Sequence, residues 1–277
     1  MSETNKLTVI TGCSSGIGKH IAIEMAKLDY KVLMLVRDSD KSRDAYNEIV
    51  KISNSNNIKM LYTDFASLDS IRSTSDNIIK EYSQIDILIN NAGVIKRKYE
   101  SSGDGYEMTF AVNYLATFLL TNLLLPLLKN ASFSRVINLS SELYKNGIID
   151  LENIPPKGKF NGTKNYADSK LLINIFTKEL AERIKNDGIT VNCLHPGVIG
   201  TDAFREYPKI FVKLMNLFLT KPEKGALPVI RLATSPEYKN VTGQYFNVNK
   251  LVPMKNYIFE KEVIQEIWNI SRQLVNI

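Results

Sequence analysis

Two side chains in the 277-residue chain have the types and the spacing of an acid–base pair. Tyr166 and Lys170 lie in the string Tyr-Ala-Asp-Ser-Lys at the start of a predicted helix, where a spacing of four residues places both on one face. A phenol with a pKa near ~10 is a weak acid–base group at neutral pH, and an ammonium beside it favours the phenolate. The spacing is common in helices, so by itself it fits two unrelated surface residues equally well.

Three other segments carry small or polar residues where a predicted strand ends. Ser140-Ser141 ends the fifth strand, Asn90-Asn91-Ala92-Gly93 the fourth, and the segment from His195 to Thr201 begins at the end of the sixth. In a parallel sheet, ligands bind beyond the carboxyl ends of the strands. We therefore expect these segments to meet Tyr166 and Lys170 at one crevice.

The first predicted strand leads into a glycine-rich turn, Thr-Gly-Cys-Ser-Ser-Gly-Ile-Gly, which spans residues 11–18. Glycines let the backbone turn sharply and approach a pyrophosphate, which the free N–H groups of the following helix then hold. Such strings also mark ordinary turns. Here the position between the first strand and the first helix favours a dinucleotide site.

The end of the second strand indicates which dinucleotide is bound. An acidic residue at this place would hydrogen-bond the ribose hydroxyls of NAD. Val36 stands there instead, and Arg37 follows it. A guanidinium can pair with a 2′-phosphate, so the sequence predicts NADP(H) as the cofactor. The alternative is that Arg37 is only a solvated charge at the end of a strand.

Strand and helix patterns alternate along the chain and predict an α/β fold. It is a Rossmann-type doubly wound parallel sheet in three layers (α/β/α), a single domain over residues 1–277. The irregular stretch from Glu142 to Thr163 is predicted to be a long loop. The predicted strands are short and apolar, as strands buried on both faces should be. They are Leu7–Thr11, Lys31–Val36, Ile58–Thr63, Ile85–Asn90, Arg135–Ser140 and Thr190–His195.

The segment from Met108 to Leu128 carries no charge and is long enough to span a membrane. It contains Asn113, Asn122 and Pro126, however, and it lies between two predicted strands. We therefore expect no transmembrane span but a central helix packed on the sheet. Packing against a second subunit, and so a homo-oligomer, is the alternative use of this apolar surface.

Composition is that of an ordinary globular protein, with 44% apolar and 23% charged residues. The net charge of +6 favours an anionic ligand such as a phosphorylated cofactor. The basic residues are scattered, so we expect no nucleic-acid partner. The tightest basic run, Lys96-Arg97-Lys98, is interpreted as a solvated loop.

The few cysteines and histidines limit which disulfide and metal chemistry the protein can perform. Two cysteines, Cys13 and Cys193, exclude a disulfide framework and suit a reducing cytoplasm. The two histidines, His20 and His195, have no ligand-like partners nearby, so we expect no metal. The first residues are polar and lead directly into a strand, and no secretory signal is expected.

Together and in this order, the motifs resemble those of the short-chain dehydrogenase/reductase superfamily, from about Leu7 to the C-terminus. The resemblance implies an oxidoreductase that transfers a hydride between NADP(H) and a carbonyl or alcohol. It implies a catalytic tetrad of Asn113, Ser141, Tyr166 and Lys170. Motifs and resemblance together predict these cofactor contacts: Gly12, Ser14, Ser15, Gly16, Ile17, Gly18, Arg37, Asp64, Phe65, Asn91, Ala92, Gly93, Tyr166, Lys170, Pro196, Gly197, Val198 and Thr201.

The resemblance also implies roles for the tetrad. Ser141 would hydrogen-bond the substrate oxygen and Tyr166 would exchange its proton. Lys170 would lower the pKa of the tyrosine, and Asn113 would fix a water that links Lys170 to solvent. Two alternatives share these motifs, a C=C or imine reductase and a catalytically silent NADP(H)-binding sensor.

Within the superfamily, the chain looks most like the retinol-dehydrogenase-like branch. The similarity is carried by Val-Arg-Asp after the second strand, the string that begins at Asp64, the long insert before Tyr166, and Gly243-Gln244-Tyr245-Phe246. The N-terminal membrane anchor common in that branch is not expected here. The resemblance places a substrate lid at about residues 202–222. Its apolar residues predict an apolar carbonyl or alcohol substrate: Ile210, Phe211, Leu214, Met215, Leu217 and Phe218.

Overall fold

Runs of β-branched and apolar residues form one eight-stranded sheet. The computed structural model describes residues 6–157, 159–198, 220–254 and 260–277. The strand order is β3-β2-β1-β4-β5-β6-β7-β8, parallel throughout except for the last pair. The strands are β1 (Leu7–Thr11), β2 (Lys31–Val36), β3 (Ile58–Tyr62), β4 (Ile87–Asn90), β5 (Ser134–Leu139), β6 (Ile189–His195), β7 (Tyr245–Asn247) and β8 (Lys250–Leu251).

Helices connect the strands and cover both faces of the sheet. They are α1 (Gly16–Lys27), α2 (Asp40–Ser53), α3 (Leu68–Glu81), α4 (Met108–Asn130), α5 (Gly162–Arg183), α6 (Pro222–Thr234) and α7 (Lys261–Leu274). The long insert contains short 3₁₀ turns at Glu142–Asn146 and Leu151–Asn153. This confirms the predicted three-layer, doubly wound fold.

Neighbouring residues on each strand point to opposite layers, because side chains alternate along a strand. Val9 packs into the cluster that includes α3, α4, α5 and α7, whereas Ile10 packs into the cluster with α1, α2 and α6. The same alternation holds for Val136 and Ile137 on β5. Helices therefore cover both faces of the sheet, and the polar ends of the strands remain accessible to ligands.

A row of polar side chains crosses the middle of this apolar sheet. The Asn90 amide donates to Asn138 at 2.8 Å and to Thr121 of α4 at 2.9 Å. The Asn138 amide in turn donates to Thr177 of α5 at 2.9 Å. We call Asn90 and Asn138, with Thr121 and Thr177, the asparagine row. It joins β4 and β5 to the helices that cover them.

Helix α4 is the uncharged segment identified from sequence. It meets length and hydropathy criteria for a membrane span, but 78% of the apolar window is buried within the chain. Trp268 of α7 contacts Phe118 of α4 at 5.0 Å between ring centroids, and Tyr114 shares a 2.6 Å hydrogen bond with Ser271. Packing within the chain thus accounts for most of its apolar surface. That the chain has no transmembrane span stays a prediction, and so does the possible homo-oligomer.

Candidate active site and cofactor crevice

A cavity of about 460 Å³ opens at the carboxyl edge of the sheet. Its walls come from the segments at the ends of β1 to β6 and from two helices, α4 with Met108 and Val112 and α5 with Tyr166 and Lys170. Most of the predicted cofactor contacts line this one cavity: Gly12, Ser14, Ser15, Gly16, Ile17, Gly18, Arg37, Asp64, Phe65, Asn91, Ala92, Gly93, Tyr166, Lys170 and Pro196. The strand ends therefore converge as the sequence predicts.

The glycine-rich turn leaves no room for side chains where the backbone approaches its neighbours. A Cβ on Gly18 would lie 2.3 Å from the Gly12 carbonyl oxygen, and Gly12 itself has φ +73°. Helix α1 begins at Gly16, and the side chain of Ser15 makes no capping hydrogen bond. Its first N–H groups are therefore open toward the cavity, which suits an anionic group such as a pyrophosphate.

Asn91 fixes the glycine-rich turn from the neighbouring strand. Its amide nitrogen donates to the carbonyl oxygens of Thr11 at 2.9 Å and Gly12 at 3.0 Å. In return, the Thr11 hydroxyl accepts hydrogen bonds from the backbone N–H groups of Asn91 and Ala92, both at 2.9 Å. Asn91 thus acts on the turn itself, while the adjacent Asn90 belongs to the asparagine row.

The far end of the cavity carries the residues predicted to select the dinucleotide. Arg37 is exposed on the cavity wall. The neighbouring carboxylate of Asp38 is occupied elsewhere, because it forms an ion pair with Arg43. Ser39 caps α2 by accepting from the Ser42 N–H at 3.2 Å. A positive guanidinium and a helix N-terminus therefore border this end together.

Tyr166 and Lys170 line the other end of the cavity, and Ser141, which is not among the lining residues, forms a hydrogen bond with the Tyr166 side chain. Burial raises the pKa of the Tyr166 phenol above its usual value, and a hydrogen bond with Ser141 acts in the opposite direction. The Lys170 ammonium lies 5.7 Å from the Tyr166 ring centroid and donates to the Leu139 carbonyl at 2.8 Å. Burial lowers the pKa of Lys170 to about 8.

The effect of Lys170 on the pKa of Tyr166 stays a prediction. Burial is the main cause of the raised pKa of the Tyr166 phenol. The ammonium is directed to the Leu139 carbonyl. The group that lowers the pKa of Tyr166 here is Ser141, through its hydrogen bond.

Asn113 lies behind this group, in a π-helical turn of α4 over Ala111–Leu115. Its side-chain oxygen accepts from the Val94 N–H at 2.8 Å, and its nitrogen donates to the Val94 carbonyl at 3.1 Å. The nitrogen also donates to Ser169 of α5 at 3.1 Å. The Asn113 carboxamide therefore forms hydrogen bonds with protein groups, and these bonds connect Val94 in the cavity wall with α5.

Two of the predicted contacts near the end of β6 do not line this cavity. Gly197 has φ +102° and Val198 is 59% exposed, and neither lines the described cavity beside Pro196. Thr201 and the predicted lid, apart from its last residues, lie outside the described residues.

An ion pair that the motifs did not indicate lines the same cavity. The Lys96 ammonium contacts the Glu100 carboxylate at 2.7 Å, and the lysine side chain is only 9% exposed. Gly162 fixes this loop against α5, since a Cβ there would lie 2.0 Å from the Lys96 carbonyl oxygen. The interpretation of Lys96 as part of a solvated run is therefore wrong. Its only sequence signal was a lysine soon after the fourth strand.

The fold and this site define a class of nucleotide-dependent oxidoreductase. A model of the short chain dehydrogenase family matches residues 6–209, and the chain belongs to that family. Its members use a nicotinamide cofactor, NAD or NADP, and act on alcohol or carbonyl groups. The close fit of the backbone at Gly12 and Gly18 and the open N-terminus of α1 suit such a cofactor.

Individual relatives confirm the branch as retinol-dehydrogenase-like. Retinol dehydrogenase 13 of Homo sapiens is 38% identical over 281 residues, which cover 98% of this chain and 85% of that protein. Retinol dehydrogenase 14 of Homo sapiens is 35% identical over 291 residues, covering 98% and 87%. A solved structure of an uncharacterized protein from Mycobacterium paratuberculosis has a TM-score of 0.78 at 26% identity, covering 98% of this chain and 93% of that one.

Proposed function

We propose that the protein is an NADP(H)-dependent oxidoreductase that interconverts a carbonyl and an alcohol, with Tyr166 as general acid and base. One observation carries the proposal. The Tyr166 phenol is hydrogen-bonded by Ser141 and lies beside the buried Lys170, at the end of a cavity that otherwise suits a dinucleotide. Such a group can exchange a proton with a substrate oxygen placed between the two hydroxyls.

Ser141, Tyr166 and Lys170 have separate roles in the proposed reaction. Ser141 donates to the substrate oxygen and orients it toward Tyr166, which donates its proton during reduction and accepts one during oxidation. Lys170, with a pKa of about 8, can change protonation state near neutral pH and so resupply Tyr166. A bound nicotinamide cofactor supplies or accepts the hydride.

The preference for NADP(H) is supported by the far end of the cavity. Arg37 makes no hydrogen bond or ion pair with another described residue, so its guanidinium is available to a phosphate. The aliphatic Val36 ends β2, where NAD would need an acid. Asp38 would repel a phosphate, but Arg43 neutralises it.

An apolar substrate is supported by the side chains around the inner cavity. Val94, Ile95, Met108 and Val112 line it, and they favour apolar groups at ~25 cal/mol per Å² buried. Cys13 and Cys193 are both free and buried, which fits the reducing conditions of the cytoplasm, the location we propose.

Exchange of Tyr166 for Phe tests the proposal. The variant keeps the ring, so folding and NADPH binding should persist, while kcat should fall by about 10²- to 10⁴-fold. NADPH consumption with aldehydes and ketones is the assay, and cofactor affinity is measured by fluorescence titration. Tyr99→Phe, at a tyrosine that is 56% exposed, is the matched control and should turn over normally. A Tyr166→Phe enzyme with wild-type kcat would refute the assignment.

A further inference from the structure

Ser169 occupies a junction between the cavity wall and the backbone of Tyr166. Its hydroxyl donates to the Tyr166 carbonyl oxygen at 2.7 Å and accepts from the Asn113 amide at 3.1 Å. The side chain is completely buried. A serine hydroxyl has one donor and two acceptor sites, so it makes both bonds at once.

The other end of this connection reaches the cavity. Asn113 holds both the N–H and the carbonyl of Val94, and Val94 lines the cavity. A continuous set of hydrogen bonds therefore runs from Val94 through Asn113 and Ser169 to the Tyr166 backbone.

We propose that Ser169 is a positioning residue, which sets the place of the Tyr166 phenol relative to Ser141 through this set of bonds. The inference rests on the proposed function of Tyr166. Tyr166 is only partly buried, whereas Ser169 and Lys170 are buried. Tyr166 lines the cavity, so the position of its phenol depends on the helix backbone that carries it as well as on its hydrogen bond with Ser141.

Thr177 offers a matched control on the same helix. It is also completely buried, donates to the carbonyl four residues before it (Ile173, 2.8 Å) and accepts from an asparagine amide (Asn138, 2.9 Å). It lies two helical turns beyond Ser169 and does not line the cavity. Loss of its hydroxyl should cost similar stability without moving Tyr166.

The experiment compares Ser169→Ala, Ser169→Thr, Thr177→Val and Tyr166→Phe in the full chain. The probe is the alkanal that the wild type reduces fastest, together with its alcohol in the reverse direction. We expect Ser169→Ala to lower kcat by about 10- to 100-fold, since a misplaced catalytic group has an effect of that order. KM and the NADPH Kd should change little, and Ser169→Thr, which keeps the hydroxyl, should restore most of kcat.

The pH profile separates positioning from loss of stability. In Ser169→Ala, the phenol loses part of the Ser141 hydrogen bond that lowers its pKa, so the acid limb of alcohol oxidation should move to higher pH. Thr177→Val should lower Tm comparably yet keep the wild-type kcat and pH profile. If Ser169→Ala does not fold, Ser169→Cys, of similar volume and weak hydrogen bonding, should show the same loss.

Two results would overturn the inference. One is a wild-type kcat and pH profile in folded Ser169→Ala or Ser169→Cys. The other is an equal loss of kcat in Thr177→Val. A fully active Tyr166→Phe enzyme, or no turnover of any aldehyde or ketone by the wild type, would instead remove the proposed function, and this inference with it.

Discussion

Exchange of Lys170 for Met should abolish turnover and yet stabilise the fold at neutral pH. Burial holds the pKa of Lys170 at about 8 in the folded protein, against 10.5 as the ordinary value. This difference corresponds to about 3 kcal/mol at 1.36 kcal/mol per pKa unit, and it destabilises the folded state. Loss of the hydrogen bond to the Leu139 carbonyl offsets about 1 kcal/mol of the gain. The expected net stabilisation at pH 7 is therefore about 2 kcal/mol.

The sign of the pH dependence follows from the lowered pKa. Below pH 8 both folded and unfolded wild type hold the proton, so the full cost of burying the ammonium is present. As pH rises from 8 to 10.5, the folded protein releases the proton first and the cost disappears. The advantage of Lys170→Met should therefore shrink and reach about zero near pH 10.

Urea unfolding of both proteins between pH 7 and pH 10 measures this difference directly, with the two-state free energy read at each pH. Lys178→Met, on the exposed side of the same helix, is the control for the general effect of a lysine-to-methionine change. An advantage for Lys170→Met that does not vary with pH would refute the reasoning, as would a variant less stable than wild type at pH 7.

Two further predictions concern ligands. Arg37→Ala should weaken NADPH binding by about 10- to 150-fold, the equivalent of ~1.5–3 kcal/mol for a charge-assisted contact, and should leave the affinity for NADH unchanged. Fluorescence titration measures both affinities, and equal affinities of the wild type for NADPH and NADH would contradict the assignment of NADP(H). If the substrate is apolar, kcat/KM across a series of n-alkanals should rise by up to ~10-fold for every two methylenes buried. Values of kcat/KM that stay flat or fall with chain length would exclude an apolar substrate site.

The sequence predicted the sheet well because its strands are continuous apolar runs. The first two strands match the structure fully, and the ends of the next four differ by one or two residues. At the fourth strand, Ile85 was included although β4 begins at Ile87. Strands β7 and β8 were not predicted, since segments of three and two residues carry no periodic signal.

The motifs correctly predicted that Gly12, after β1, and Tyr166, on α5, lie at the same cavity. The sequence did not predict the properties of site residues that depend on neighbours distant in the chain. The direction of the Tyr166 pKa depends on how deeply the phenol is buried, and the ion pair of Lys96 with Glu100 depends on a loop held by Gly162. The role of Ser169 likewise requires the π-helical turn at Asn113, which no spacing rule indicates.

The asparagine row has a consequence for how the chain avoids misfolding. Adjacent parallel strands made of valine, isoleucine and leucine can slide by two residues and still bury the same faces. Here such a slip would separate Asn90 from Asn138, its partner across β4 and β5, and leave buried amides unpaired at about 1–3 kcal/mol each. It would also shift Ser141, two residues beyond β5, by ~7 Å along the sheet. The amides that disfavour a misaligned sheet therefore also disfavour a misaligned active site.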